Sequence, residues 1–279
     1  MTTPSLERLI DYADALPSLP EVVAYLTRAL RDENADLETL SRHINSDPAI
    51  VARLLAAANA ASTGLARRVQ SVSQAFLLLG ADRVAHIVLA STLIHRYDGN
   101  AATGFSAPLL WRHSLGVAVC SRALAEQTGV DPELAFVAGL LHDIGRLLMY
   151  VASPAQVLAA LDRRQHDDIQ LVAAERAVFG YDHCDAGRVL AGAWNLPPEI
   201  AEAIAAHHEP DGFGSEICDL VHIAECLSHA LDLGEIASNR VPDLSELACA
   251  HLGVTWPKFS SRFAEIEARF DDFRLSLGI

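Results

Sequence analysis

The chain has 279 residues, 51% of them apolar, which is enough to bury a core in one large domain or two small ones and excludes a disordered or fibrous protein. Its 36 acidic residues against 21 basic ones leave a formal charge of −15, a surface that repels phosphate backbones and anionic headgroups, so neither nucleic acid nor a membrane is an expected partner. The opening MTTPSLERLIDYADALPSLP carries acidic residues where a secretory signal would have a basic stretch and an apolar run, so no signal peptide is expected. Beyond it, apolar residues recur at helical spacing, and no alternating or β-branched run is bounded by turn signals as a strand would be. Helices are predicted over 20–31, 37–45, 48–60, 72–79, 83–97, 107–128, 132–152, 154–165, 169–179, 183–194, 198–208, 216–233, 243–252 and 257–276. Asp47-Pro48, Asp131-Pro132 and Ser153-Pro154 each put an N-cap residue before a proline whose missing N–H costs nothing, and in Ser106-Ala107-Pro108 the proline falls one residue later. Gly80 and Gly129 stand where helices should stop. The expected fold is all-α, a two-lobed helical bundle with seams at 96–108 and at EPDGFGSE (209–216).

The longest apolar stretches, 75–81 and 135–141, fall short of the roughly 18 residues a bilayer span requires. Cys120, Cys184, Cys218, Cys226 and Cys249 form no CxxC pair, which fits reduced, mostly buried thiols of a cytoplasmic protein. In the last predicted helix Phe259, Phe263, Ile266, Phe270 and Phe273 recur at three- and four-residue spacing, a stripe for internal packing or for a homodimer contact.

Chemistry concentrates in the histidines. His113, His142-Asp143, His183, His207-His208 and Glu225 fall on separate predicted helices, the arrangement a divalent ion in a helical bundle needs, since no single helix can surround it. His142 and Asp143 are adjacent in an apolar helix and must find partners to be buried. A metal ion would supply them, and so would an internal network of hydrogen-bonded imidazoles and carboxylate. Arg146, one turn on, is placed for a salt bridge to Asp143. His43, His86, His95, His166, His222, His229 and His251 match no ligand pattern and read as surface or core residues; Arg67-Arg68 and Arg163-Arg164 read as solvated pairs. Gly139 and Gly145, inside the helix carrying His142-Asp143, read as points of close packing.

The order H…HD…H…HH followed by an acidic residue is similar to that of the metal-dependent phosphohydrolases of the HD superfamily. The sequence resembles more closely one branch, the HDOD domain, from about Leu16 to His208. The resemblance rests on LPSLPEVV (16–23), INSDPAIVARLLAAANAASTGL (44–65) and VQSVSQAFLLLGADRVAHIVLA (69–90) as much as on WRHSLGVAV, AGLLHDIGRLL and FGYDHCDAGRVLAGAWNLPPEIAEAI. It implies an HDOD domain over 13–212, with a first lobe to about 98 and an HD-like lobe from about 106; beyond the part it covers, a helical extension over 213–279 is expected to pack on the HD-like lobe. It implies a bacterial signalling module acting through a protein partner, with the first lobe as the contact surface and without catalysis. The site residues carried over are His113, His142, Asp143, His183, His207, His208 and Glu225, with Fe, Mn, Ni or Zn as the expected ion. The alternative is a metal-dependent phosphohydrolase acting on a nucleotide or cyclic dinucleotide, with Asp143 and Arg146 as its working residues. Against the catalytic HD-GYP relatives three positions depart: Glu225 stands for the last Asp, Gly214-Ser215-Glu216 lies where GYP belongs, and Arg146 replaces a lysine. With all but one of the basic residues being Arg, the last departure carries little weight.

Overall fold

The computed structural model describes residues 4–16, 44, 48–61, 69–81, 83–88, 105–234 and 241–277. The helices expected at 20–31 and, save helical Ile44, at 37–45 lie outside these residues, as do most of the 96–108 seam and the Arg67-Arg68 pair. Among the described residues there is no strand. The chain opens with a 3-10 helix, Leu6–Ala15, then α1 (Pro48–Ala61), α2 (Val72–Leu79) and a helical stretch at 83–88. There follow α3 (Ala107–Thr128), α4 (Pro132–Leu141), α5 (Ile144–Ala152), α6 (Pro154–Asp167), α7 (Leu171–Phe179), α8 (His183–Ala193), α9 (Pro198–Ala206) and α10 (Glu216–Ala230). The extension holds α11 (Glu246–His251), α12 (Trp256–Ser260) and α13 (Phe263–Leu277).

Local chemistry accounts for most boundaries. Ser106 accepts from the Leu109 N–H, and Asp131 accepts from those of Glu133 and Leu134, before prolines in the first turn. Ser153 starts α6 differently, its hydroxyl bonding the Gln156 side chain and no backbone N–H. Gly80 and Gly129 end α2 and α3 at φ 81° and 83°, a region open to glycine.

Three expectations need correction. The single helix 132–152 is two, because the chain leaves helical geometry at Asp143 (φ −98°, ψ 12°). The break lets two adjacent polar residues reach one site, which consecutive positions on an unbroken helix would point about 100° apart. As a whole the Pro132–Ala152 stretch is long and apolar enough to cross a membrane by composition alone, contrary to the shorter runs counted in the sequence, yet most of it is buried inside the fold. The helix 257–276 is likewise divided, into α12 and α13. The third concerns residues 6–15, whose helical order was not foreseen; Leu9, Ala13 and Leu16 are buried there, the segment packs on α5 and α8, and Tyr181 donates to the Pro4 carbonyl at 3.0 Å.

α3 lies at the centre, buried along most of its length between α4 and α10. α13 packs on α1 as well as on α3, so the extension bridges to the first lobe rather than covering only the HD-like lobe. Its apolar stripe is spent inside the chain: Phe259, Ile266, Phe270 and Phe273 are all buried. Glu126 of α3 anchors this packing by accepting from Arg262 and, at 2.9 Å, from Arg269. At the first-lobe seam, buried His86 stacks on Phe136 with centroids 3.8 Å apart and meets Glu133 at 2.7 Å, and Arg122 holds the other Glu133 oxygen at 2.8 Å.

α5 and α8 cross at glycines. A Cβ on Gly145 would lie 1.9 Å from the His183 carbonyl oxygen and 2.5 Å from the Gly187 nitrogen, so backbone touches backbone. Gly145→Ala is expected to cost about 3 kcal/mol in urea unfolding, the overpacking penalty where neither neighbour can yield; a loss within the surface range of about 0.5 kcal/mol would show the helices to be separable. For Glu126, burial opposes ionisation, but Arg269 and Arg262 outweigh it and hold the carboxyl below its ordinary 4.5. Its contribution is therefore present above that value and lost as pH falls through the lower, folded-state value. Glu126→Gln should cost about 1 kcal/mol at neutral pH and converge on the wild type in acid; a gap that persists in acid would refute the ion pairing.

Candidate metal centre

Six elements bring the site together. His113 comes from the buried length of α3, and His142 and Asp143 come from the α4–α5 break. His183 is the first residue of α8, set there by a capping box in which Asp182 accepts from the Cys184 and Asp185 N–H groups and Asp185 returns the bond. His207 and His208 follow α9, and Glu225 lies on α10. His113, His142, Asp143, His183, His207 and Glu225 are all buried.

The seven sequence-derived residues converge. Glu225 Oε2 lies 2.9 Å from His113 Nε2 and 3.1 Å from His142 Nε2. Asp143 Oδ1 lies 3.2 Å from His183 Nε2 and 3.8 Å from His207 Nε2, while Asp143 Oδ2 accepts from Arg146 at 2.7 Å. His183 Nε2 and His208 Nε2 face each other at 3.0 Å. The extra methylene of Glu225 is thus accommodated, and the Arg146–Asp143 pair is the one its spacing implied.

The outer ring nitrogens fix how the imidazoles point. His142 Nδ1 lies 2.7 Å from the Gly139 carbonyl, and His207 Nδ1 lies 3.1 Å from that of Ile204; a carbonyl can only accept, so both Nδ1 atoms are protonated. His183 Nδ1 donates to Glu175 Oε2 at 2.6 Å, and the same oxygen takes the His183 backbone N–H at 3.0 Å. In all three rings Nε2 is turned inward, the orientation that outer partners give to metal-binding histidines. His222 supports this from behind, donating from Nδ1 to the His207 carbonyl at 2.7 Å and accepting the Ser245 N–H on Nε2 at 3.0 Å.

The electrostatics follow from the crowding. Burial works against ionised Asp143, but Arg146, His142 and His183 outweigh it and hold the carboxyl well below its usual range. Glu225 is held low in the same way by His113 and His142, also against burial. Burial together with neighbouring His183 pushes His208 down to about 3, whereas for His183 burial is overcome by Glu175 and Asp143 and its proton is held well above the ordinary range.

Two observations fit a cation. The inward nitrogens and carboxylates form groups of donors lying within 4.8 Å of one another, namely His183, Cys184, His207 and His208; His113, His142 and Asp143; and His113, Glu225 and His229, and such clusters could hold a metal ion. In addition, His142 Nε2 and Glu225 Oε2 are buried polar atoms without an aligned hydrogen-bond partner. The site opens on a cavity of about 400 Å³ whose lining includes Asp143, His183, His208 and Glu225 with Arg146, Arg164 and Arg176.

Several contributors escaped the sequence reading. Glu175 has no motif to mark it. His229 was set aside, although it stands one turn from Glu225 and meets its Oε1 at 3.1 Å. Arg164 was read with Arg163 as a solvated pair, but it lines the cavity.

A family model for the HDOD domain matches residues 16–210. The chain belongs to the HDOD family. An HDOD domain protein of unknown function from Geobacter sulfurreducens shares the fold of this HDOD chain at TM-score 0.77 and 24% identity, over 96% of this chain and 99% of that one. A Shewanella amazonensis protein provisionally named a phosphohydrolase aligns at TM-score 0.72 and 25% identity, over 96% of this chain and 97% of its own. Ribonuclease Y of Geotalea uraniireducens is 30% identical over 151 residues, 52% of this chain and 24% of that protein. The chain spans only 24% to 40% of the length of these first curated relatives.

If Glu175 orients His183 toward an ion, Glu175→Ala should weaken divalent-metal affinity by about 10- to 100-fold, read by competition with a chelating dye. Unchanged affinity would remove Glu175 from that role.

Proposed function

We propose that this regulatory HD-related module holds a divalent transition metal, of the Fe, Mn, Ni or Zn class, in its HD-like lobe, binds a phosphoester-bearing ligand beside it, and passes occupancy to a protein partner. The observation that carries the reading is the juxtaposition of the seven converging donors with a cavity of about 400 Å³ that Arg146, Arg164 and Arg176 help to line. His113, His142, Asp143, His183, His207, His208 and Glu225 would hold one or two such ions, which would supply Lewis acidity toward a phosphoryl oxygen. Arg146 stays charged at any relevant pH, so it can bind an anionic oxygen but cannot donate a proton. The lining also carries Asp143, Glu209, Glu225 and Asp243, so the bound ion together with these arginines would have to offset the repulsion that a charge of −15 imposes on an anionic ligand.

α4 supports communication between lobes. Its first turn carries Glu133, in contact with His86 of the first lobe, and its other end delivers His142 to the site. A shift of α4 is therefore felt at both places.

The second reading is hydrolysis of a nucleotide or cyclic dinucleotide, with Asp143 and Arg146 as working residues, and the room beside the donors favours it. The resemblance to proteins named ribonuclease Y adds support for phosphodiester chemistry, though over about half of this chain. Calorimetric titration of the metal-loaded protein with nucleotides and cyclic dinucleotides, followed by chromatography of the products, tests both. Binding without turnover, weakened about 10- to 100-fold by Arg146→Ala, is the expected result. Turnover abolished by Asp143→Ala would establish the hydrolase instead, and no metal-dependent binding of any phosphoester would overturn both readings.

A further inference from the structure

Among the donor groups, one differs in kind. Two of the three contain only nitrogen and oxygen donors, but the group of His183, His207 and His208 includes the Cys184 sulfur. Cys184 is buried, and its Sγ lies 3.9 Å and 4.0 Å from the two ring nitrogens of His207. One donor atom from each of the four residues lies within 4.8 Å of the others, and a four-coordinate ion with bonds of about 2.0–2.3 Å holds its donors at separations of this order. Two of these atoms, His183 Nε2 and His208 Nε2, already face each other at 3.0 Å. The position of Cys184 on the backbone is equally defined. It is the second residue of α8, and its N–H is tied to Asp182 Oδ1 at 2.9 Å.

We propose that Cys184 is a metal ligand, completing with His183, His207 and His208 a donor set of three nitrogens and one sulfur. On binding, the S–H bond breaks, a metal–sulfur bond forms and the proton passes to solvent. A thiolate in the set favours zinc or ferrous iron over magnesium, calcium or manganese. The inference rests on the reading that the HD-like lobe holds a metal at all, and goes beyond it by naming a ligand and the ion class it selects.

Cobalt(II) substitution of the chelator-stripped full chain tests it, because a thiolate bound to cobalt adds a near-ultraviolet charge-transfer band to the visible bands of the ion. The wild type and Cys218→Ser should show both features, and Cys184→Ser should lose the charge-transfer band while keeping the visible bands. Visible bands without charge transfer in the wild type would overturn the cysteine ligand and leave the metal centre standing, as would a charge-transfer band that survives in Cys184→Ser. No cobalt uptake by the folded wild type would overturn both.

Discussion

The second lobe is organised around the cost of burying Asp143 and Glu225 together with a ring of imidazoles. An isolated buried carboxylate is strongly unfavourable, so each must be neutralised from nearby, and the surroundings are arranged for that. Arg146 at 2.7 Å answers one oxygen of Asp143, and the inward nitrogens of His183 and His207 face the other. Five separate chain segments must arrive at one point for this to happen, which ties the long buried α3, the interrupted α4–α5 pair and the capped start of α8 to the same requirement. His142 Nε2 and Glu225 Oε2 lie 3.1 Å apart without being aligned as a hydrogen bond, a geometry that fits a cation between them.

Most of the helical order was legible in the sequence because capping and periodicity are local. α2 and α3 begin and end where Ser71, Ser106, Gly80 and Gly129 dictate. The clustered histidines were legible for a different reason, as polar residues in apolar helices that have to be satisfied by something distant. What escaped was set by tertiary contact. The division of 132–152 depends on where His142 and Asp143 must point, and helix propensity does not register that. Glu175 and Arg164 lie on amphipathic helices where an acid or an arginine is unremarkable, and only the packing of α7 and α6 beside the site gives them a role. The helical order of residues 6–15 follows from Leu9, Ala13 and Leu16 finding a surface on α5 and α8.

The extension changes how the two lobes relate. α13 touches α1 and α3, and the Glu126 ion pairs hold it in place, so it acts as a strap between lobes. The stripe of phenylalanines that could have served a second copy of the chain is consumed in that contact. The first-lobe seam is polar where the strap is apolar, with His86, Glu133 and Arg122 engaged in charged contacts that change more easily than packed rings.

The glycine crossing of α5 and α8 determines where movement can originate. With backbone against backbone at Gly145 and Gly187, there is no side-chain cushion to compress, and the two helices travel as one piece. Asp143 and His183 flank that piece, so the 3.2 Å between the Asp143 carboxylate and the His183 ring rests on the backbone crossing itself.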